Sequence, residues 1–148
     1  MNNITNEVAM SWKTKLLRKF FLVKEIRSRK GMLHFERWRI LNVWLFAIYI
    51  HKIYRSDEDI HQHSHPWIFF SKILTGGYIE QRGGRGDLMT QGSWTIMKPK
   101  EYHKITVIKP TTSFVITGPR LHKWGYMTSE GHVDSVAYRE RKRKNVTH

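Results

Sequence analysis

The residues best suited to chemistry stand together near the middle of the chain, in His61-Gln62-His63-Ser64-His65-Pro66-Trp67. Three histidines at alternate positions fall on one face of an extended strand, because side chains there repeat every second residue. Neutral imidazole is the commonest metal ligand, and two on one face can share one divalent ion. An exposed polar strand can also carry His-x-His, so the spacing leaves a purely structural reading open. The third histidine, the proline stop and the apolar run from Trp67 to Leu74 favour a metal. An ion on His63 and His65 needs a further ligand from a neighbouring strand. His103 is the best candidate, since it follows the Pro99 turn and opens a β-branched strand. His61 is either a substrate-facing group or an exposed histidine. His34, His51, His122 and His132 have no partner at ligand spacing and read as structural or exposed.

The elements that must position these residues change character along the chain. Residues 5–24 read as an amphipathic helix: Thr5 is a plausible N-cap, and Val8, Trp12, Leu16, Phe20 and Val23 recur every three or four positions. Lys13, Lys15, Arg18, Lys19 and Lys24 occupy its other faces, and the segment around Gly31 ends it. Such a helix suits the outside of a domain better than a membrane surface. From Met32 the pattern is extended. Strands are expected over 32–41, 43–54, 67–74 and 78–81, the last two separated by a tight turn at Thr75-Gly76-Gly77. Gly83 to Asp87 makes a hairpin tip. Further short strands are expected at 93–97, 103–108, 112–117, 124–128 and 132–138, punctuated at Pro99, Pro110, Pro119 and Gly131. Regularly spaced short strands with turn signals indicate a sandwich or barrel. The expected organisation is a basic helix and linker over 1–30, a β domain over 31–138 and a frayed basic tail over 139–148.

Composition narrows the function. The 148 residues include no cysteine, which excludes disulfides, thiolate metal sites and a cysteine nucleophile. The run from Val43 to Ile50 is too short to cross a bilayer, and residues 1–10 do not resemble a secretory signal, so a cytoplasmic protein is expected. The net charge of +14 is unevenly spread. Residues 1–40 hold ten Lys/Arg against three acids, 139–144 hold five against one, and 41–138 hold eleven against eight. The excess thus sits in the two ends, outside the histidine cluster, where solvation or an anionic partner such as nucleic acid could account for it. No Ser/His/Asp order, acid pair at a defined spacing or nucleotide fingerprint stands out.

The histidine pair, Gly76 or Gly77 where a closing glycine belongs, and Pro99 ahead of His103 resemble the two motifs of the cupin superfamily. More narrowly, Arg55 to Asp59, His63-Ser64-His65-Pro66-Trp67, Gly76-Gly77-Tyr78 and Ile116 to Arg120 are similar to a group of small bacterial and phage cupins. The likeness covers roughly residues 31–128. It implies a mainly β fold, a cupin-type double-stranded β-helix (jelly roll), here with an N-terminal α-helix. It also implies one divalent metal ion (Fe, Ni, Mn or Zn) on His63, His65 and His103, and a homodimer. The chain departs from the motif in two places: Phe69 or Phe70 stands where its glutamate belongs, and the glycine before the first histidine is missing. What remains is a three-histidine set similar to that of thiol dioxygenase cupins, with Glu80 a further candidate carboxylate from the next strand. Three neutral imidazoles leave the ion its full charge, which favours a small anionic substrate. Tyr78, Arg82, Trp94, Tyr102, Arg120, Trp124 and Tyr126 are candidates to line the barrel mouth around it, with core packing the alternative for the aromatics. Three functions stay open: a metal-dependent dioxygenase, a pocket that binds a nucleotide or sugar phosphate without turnover, and nucleic-acid or partner binding through the basic ends.

Overall fold

The computed structural model describes residues 11–28 and 31–144. The expected helix start at Thr5 and Val8, the turn residues Arg29 and Lys30, and the last four residues of the tail lie outside that range. The chain runs α1 (Trp12–Phe21), β1 (Leu22–Arg27), β2 (Leu33–Asn42), β3 (Ala47–Ile53), β4 (Phe69–Arg82), β5 (Arg85–Thr90), β6 (Trp94–Met97), β7 (Lys104–Thr117), β8 (Gly125–Thr128), β9 (Gly131–Asp134) and α2 (Ser135–Lys144). The molecule is mainly β and its sheets are antiparallel. One sheet has the order β1-β2-β3-β7-β4-β5, with β6 also on β4, and β8 and β9 form a second. Residues 62–64 join the two sheets. His63 exchanges backbone hydrogen bonds with His103 (2.8 and 2.9 Å), while the Ser64 amide donates to Gly125 and the Met127 amide donates to Gln62.

The two 14-residue strands β4 and β7 carry the core. Phe69, Met97 and Val115 form one cluster, and Ile73, Tyr78 and Met89 form another. The expected turn at Thr75-Gly76-Gly77 is instead a bulge inside β4, where the register against β7 shifts. Gly76 has φ +83° there, and a Cβ on it would come 2.2 Å from the Pro110 carbonyl oxygen of β7. An extra residue in a strand reverses which side chains face inward. Phe69, Ser71 and Ile73 point inward before the bulge, and Tyr78 and Glu80 after it. Likewise Lys109-Pro110 does not divide two strands: β7 passes through it, and the missing amide of Pro110 is tolerated at the irregular pairing opposite Gly76.

Other boundaries also differ from expectation. The N-terminal helix stops at Phe21, and Leu22–Arg27 pairs with β2 as an edge strand, so the sheet begins inside the stretch read as helix and linker. Val23 and Ile26 are β-branched and fit an extended edge strand better than a further helical turn. Val43 to Phe46 is a turn rather than strand: the Val43 amide donates to the Phe46 carbonyl and Trp44 is 92% exposed. The strand expected over 132–138 ends at Asp134, whose carboxylate accepts the Val136 amide (2.8 Å), and residues 135–144 form α2 rather than a frayed tail.

None of the residues of α1 is buried. The helix is held by its arginine: Arg18 pairs with Glu25 of β1 and with the buried Glu36 of β2. Although burial alone would raise it, hydrogen bonds from Arg18, Tyr54 and Trp38 hold the Glu36 carboxyl below its ordinary value. Removing one partner leaves a buried carboxylate short of a cation. Arg18→Ala is therefore expected to cost about 2 kcal/mol in urea unfolding, more than alanine at exposed Lys13 or Lys15.

Candidate metal centre

His63 is fixed by its backbone pairing to His103 and Tyr126, His65 by the turn at Pro66, and His103 by its place just ahead of β7. Their rings converge, with centroids 4.8 to 5.1 Å apart. One nitrogen from each lies within 4.8 Å of the others, and His65 Nε2 and His103 Nε2 are 2.8 Å apart. Two nitrogens so spaced can both stand about 2.1 Å from one ion.

Burial lowers all three imidazoles, His65 and His103 well below the ordinary histidine value. For His65 the neighbouring His103 and His63 add to the effect, and for His103 so do His63 and Arg82. For His63, Asp57 and Asp59 oppose it. All three are neutral near pH 7, the state in which a ring nitrogen is a donor to metal.

The structure gives Glu80 a different task from direct ligation. Its Oε1 accepts a hydrogen bond from His103 Nδ1 (2.6 Å) and its Oε2 accepts one from Arg82 (2.9 Å). Burial pushes the Glu80 carboxyl up, and the Arg82 guanidinium opposes that. A carboxylate at Nδ1 fixes the tautomer that turns Nε2 toward His65 and raises its basicity. Loss of such a partner costs 10–100-fold in metal affinity as a rule of thumb. Glu80→Gln is expected to weaken zinc binding by roughly that factor, read by competition with a chromophoric chelator.

At the position of the missing motif glutamate, Phe69 sets its ring edge-on to His65 (centroids 4.9 Å), while Phe70 turns outward and stacks on Trp94. An apolar wall thus replaces a carboxylate.

The three histidines open into a cavity of about 520 Å³. Of the candidate mouth residues, Tyr78, Arg120, Trp124 and Tyr126 line it. Arg82 does not, being turned to Glu80, Thr95 and the Ile96 carbonyl. Tyr102 bonds His132 outside the cavity (2.7 Å), and Trp94 is exposed behind Phe70. His61 does not share the face of His63 and His65: its ring packs on Tyr138 of α2 (5.7 Å) and borders a separate groove.

The cavity also holds residues that spacing did not single out. Arg37 of β2 donates from Nε to His51 Nε2 (2.9 Å) and lies over the rings of Tyr49 and Trp67 (5.1 and 5.5 Å). Burial, with Arg37 and Lys24 nearby, holds His51 well below its ordinary value, so it is a neutral acceptor. Lys24 and Arg139 complete that side of the mouth. Part of the basic excess assigned to the two ends therefore faces the site.

Buried neutral histidines also set a pH dependence. Because His51, His65 and His103 are lowered in the fold, the unfolded chain binds more protons below the ordinary histidine value of 6.5. Stability of the metal-free protein is expected to be full above that pH and to fall as pH drops through the lowered values. Urea midpoints taken between pH 8 and pH 5 check it; a flat profile contradicts it.

No protein-family model matches this sequence, and no curated protein matches it. Among solved structures, the chain is similar to an uncharacterized conserved protein with a double-stranded β-helix domain from Klebsiella pneumoniae (TM-score 0.52, 18% identity, covering 68% of this chain and 89% of that one). It is similar to an RmlC-like cupin from Shewanella frigidimarina (0.52, 15%, 66% and 85%) and to FeII HppE (0.54, 11%, 79% and 64%). At these identities the likeness concerns the fold. Among the described residues no helix is long and apolar enough to cross a membrane. With its two long strands β4 and β7, the His63 segment that joins its two sheets and these neighbours, the chain has a double-stranded β-helix fold.

Proposed function

We propose that this protein is a mononuclear metal cupin acting on a small anionic substrate, with His63, His65 and His103 as the protein ligands. The observation that carries the reading is the convergence of three neutral imidazoles, one buried and two half-buried, in an open cavity. The donor set fits: all-nitrogen sites suit Fe(II), Ni(II), Zn(II) or Mn(II). FeII HppE provides a precedent for iron in this fold. When bound, such an ion supplies a Lewis acid with positions left open for substrate and O₂, the basis of an oxygenase reading.

The chain's own residues do the rest. Glu80 holds His103 in the ligating tautomer. Phe69 sets an apolar ring against His65 on the side where a carboxylate would sit. Trp67 and Trp124 give the substrate apolar walls, and Arg37 and Arg120 give it positive charge. A binding-only pocket is the second reading, favoured by the same cations.

Elemental analysis of protein made without a histidine tag tests the centre: near-stoichiometric iron, nickel, manganese or zinc is expected. For the oxygenase reading, the Fe(II)-loaded protein is exposed to nitric oxide as an O₂ surrogate. A high-spin nitrosyl signal supports open positions, and its absence would favour the binding-only pocket.

A further inference from the structure

Lys24, Arg37 and His51 form one row across three adjacent strands. Lys24 of β1 is the register partner of Arg37 of β2, and Arg37 is the register partner of His51 of β3. All three line the cavity, and Arg139 of α2 reaches it from the far end of the chain, lying over Trp124 (5.2 Å). Like charges directly opposite on neighbouring strands destabilise a sheet. A carboxylate between Lys24 and Arg37 would relieve this, yet none of the nearby acids pairs with either.

Glu25 and Glu36, the chain neighbours of Lys24 and Arg37, pair with Arg18. Asp57 accepts the Ile105 amide, Asp59 pairs with Lys142, and Glu80 pairs with Arg82 and His103. Glu58 is 4.0 Å from His34. Among the described residues, no ion pair involves Lys24, Arg37 or Arg139, and the guanidinium of Arg37 bonds only His51.

Arg37 is also held in place. Its Nε is committed to a neutral histidine and its plane packs among Phe35, Tyr49 and Trp67. The two terminal nitrogens are thus left as a fixed fork without a protein acceptor. A guanidinium so arranged is preorganised for an oxyanion, because little rotamer freedom remains to be lost. Lys24 and Arg139, both exposed at the mouth, add two further cations around it. Partial burial and the fields of Arg37 and Arg139 lower the Lys24 ammonium, as expected of cations gathered without a counter-charge.

We propose that Arg37, Lys24 and Arg139 form a phosphoryl-binding subsite that holds the anionic end of the substrate in the same cavity as the three histidines. The assignment of that anion to a substrate rests on the metal-cupin reading; the subsite itself does not. Three cations exceed what a monoanionic carboxylate neutralises. A phosphate monoester, with nearly two charges and three terminal oxygens, matches a fork, an ammonium and a second guanidinium.

The test titrates inorganic phosphate into chelator-treated protein, following intrinsic tryptophan fluorescence and thermal stability, with ionic strength matched by sodium chloride. Working without metal prevents phosphate on an ion from being counted. Saturable binding is expected, weakened at least tenfold in Lys24→Gln/Arg139→Gln and several-fold in Arg37→Lys, which keeps the charge but loses the fork. It should persist in His63→Ala/His65→Ala. Metal-free wild-type preparations that bind phosphate would also support the subsite, even if the metal reading had failed. Equal phosphate affinity in wild type and Lys24→Gln/Arg139→Gln would overturn the proposal. So would acetate binding as tightly as phosphate, or no saturable binding by the wild type.

Discussion

His103→Ala is expected to leave a folded protein that no longer retains metal. Removing this ring takes away one of three ligands and leaves Glu80 with no histidine to orient. Loss of an orienting partner alone costs up to about 100-fold in affinity, so loss of the ligand should exceed that. The fold is expected to survive because the segment pairing of His63 and His103 runs through backbone groups, and because Glu80 keeps Arg82. Circular dichroism should match the wild type while zinc, measured by elemental analysis after dialysis, drops from near-stoichiometric to background. Zinc retained at wild-type level by His103→Ala would refute the three-histidine centre. The double variant His63→Ala/His65→Ala should behave alike, whereas His61→Ala, which packs on Tyr138 away from the cluster, should keep its metal.

The second large effect concerns a residue remote from chemistry. Gly76→Ala is expected to prevent folding or to cost 4 kcal/mol or more, on the order of the largest single-residue effects. The new Cβ would stand 2.2 Å from the Pro110 oxygen and 2.7 Å from Thr111 Cα, both backbone atoms, on a residue whose φ is +83°. Neither strand can move without disturbing the parity switch that turns Tyr78 and Glu80 inward. Gly83→Ala is the control: it also has positive φ, but nothing lies within 4 Å of its added Cβ. Its cost should be only the strain of the left-handed conformation, about 1 kcal/mol. Comparable losses in both variants, measured by denaturant unfolding, would remove the steric argument.

These two positions also show what the sequence made legible. His63, His65 and His103 could be gathered in advance because a two-residue spacing and a proline turn are local signals. Glu80 could be placed in the next strand but not given its role, since its inward orientation depends on a one-residue bulge. Thr75-Gly76-Gly77 looks like a turn in sequence because glycine marks both features. Arg37 and His51 were out of reach for another reason. They meet through the register of β2 and β3, 14 residues apart, and nothing in either segment announces that pairing. The C-terminal segment misled through charge: four basic residues in its last turn suggest a solvated tail, although such residues also suit the C-terminal end of a helix. Its helical conformation is what carries Arg139 to the cavity.

The pairing of His63 with His103 has one more consequence. An ion shared by these residues would tie positions 63 and 103 together in a chain that has no cysteine to form any covalent staple. A link closing a loop of about 40 residues restricts the unfolded chain by an amount worth about 4 kcal/mol if it behaves as a disulfide does. Metal supply would then govern how long each molecule lasts as well as what it can do. Chains made under metal starvation would open more often and be cleared by proteases sooner, so abundance would track availability of the ion without any dedicated sensor.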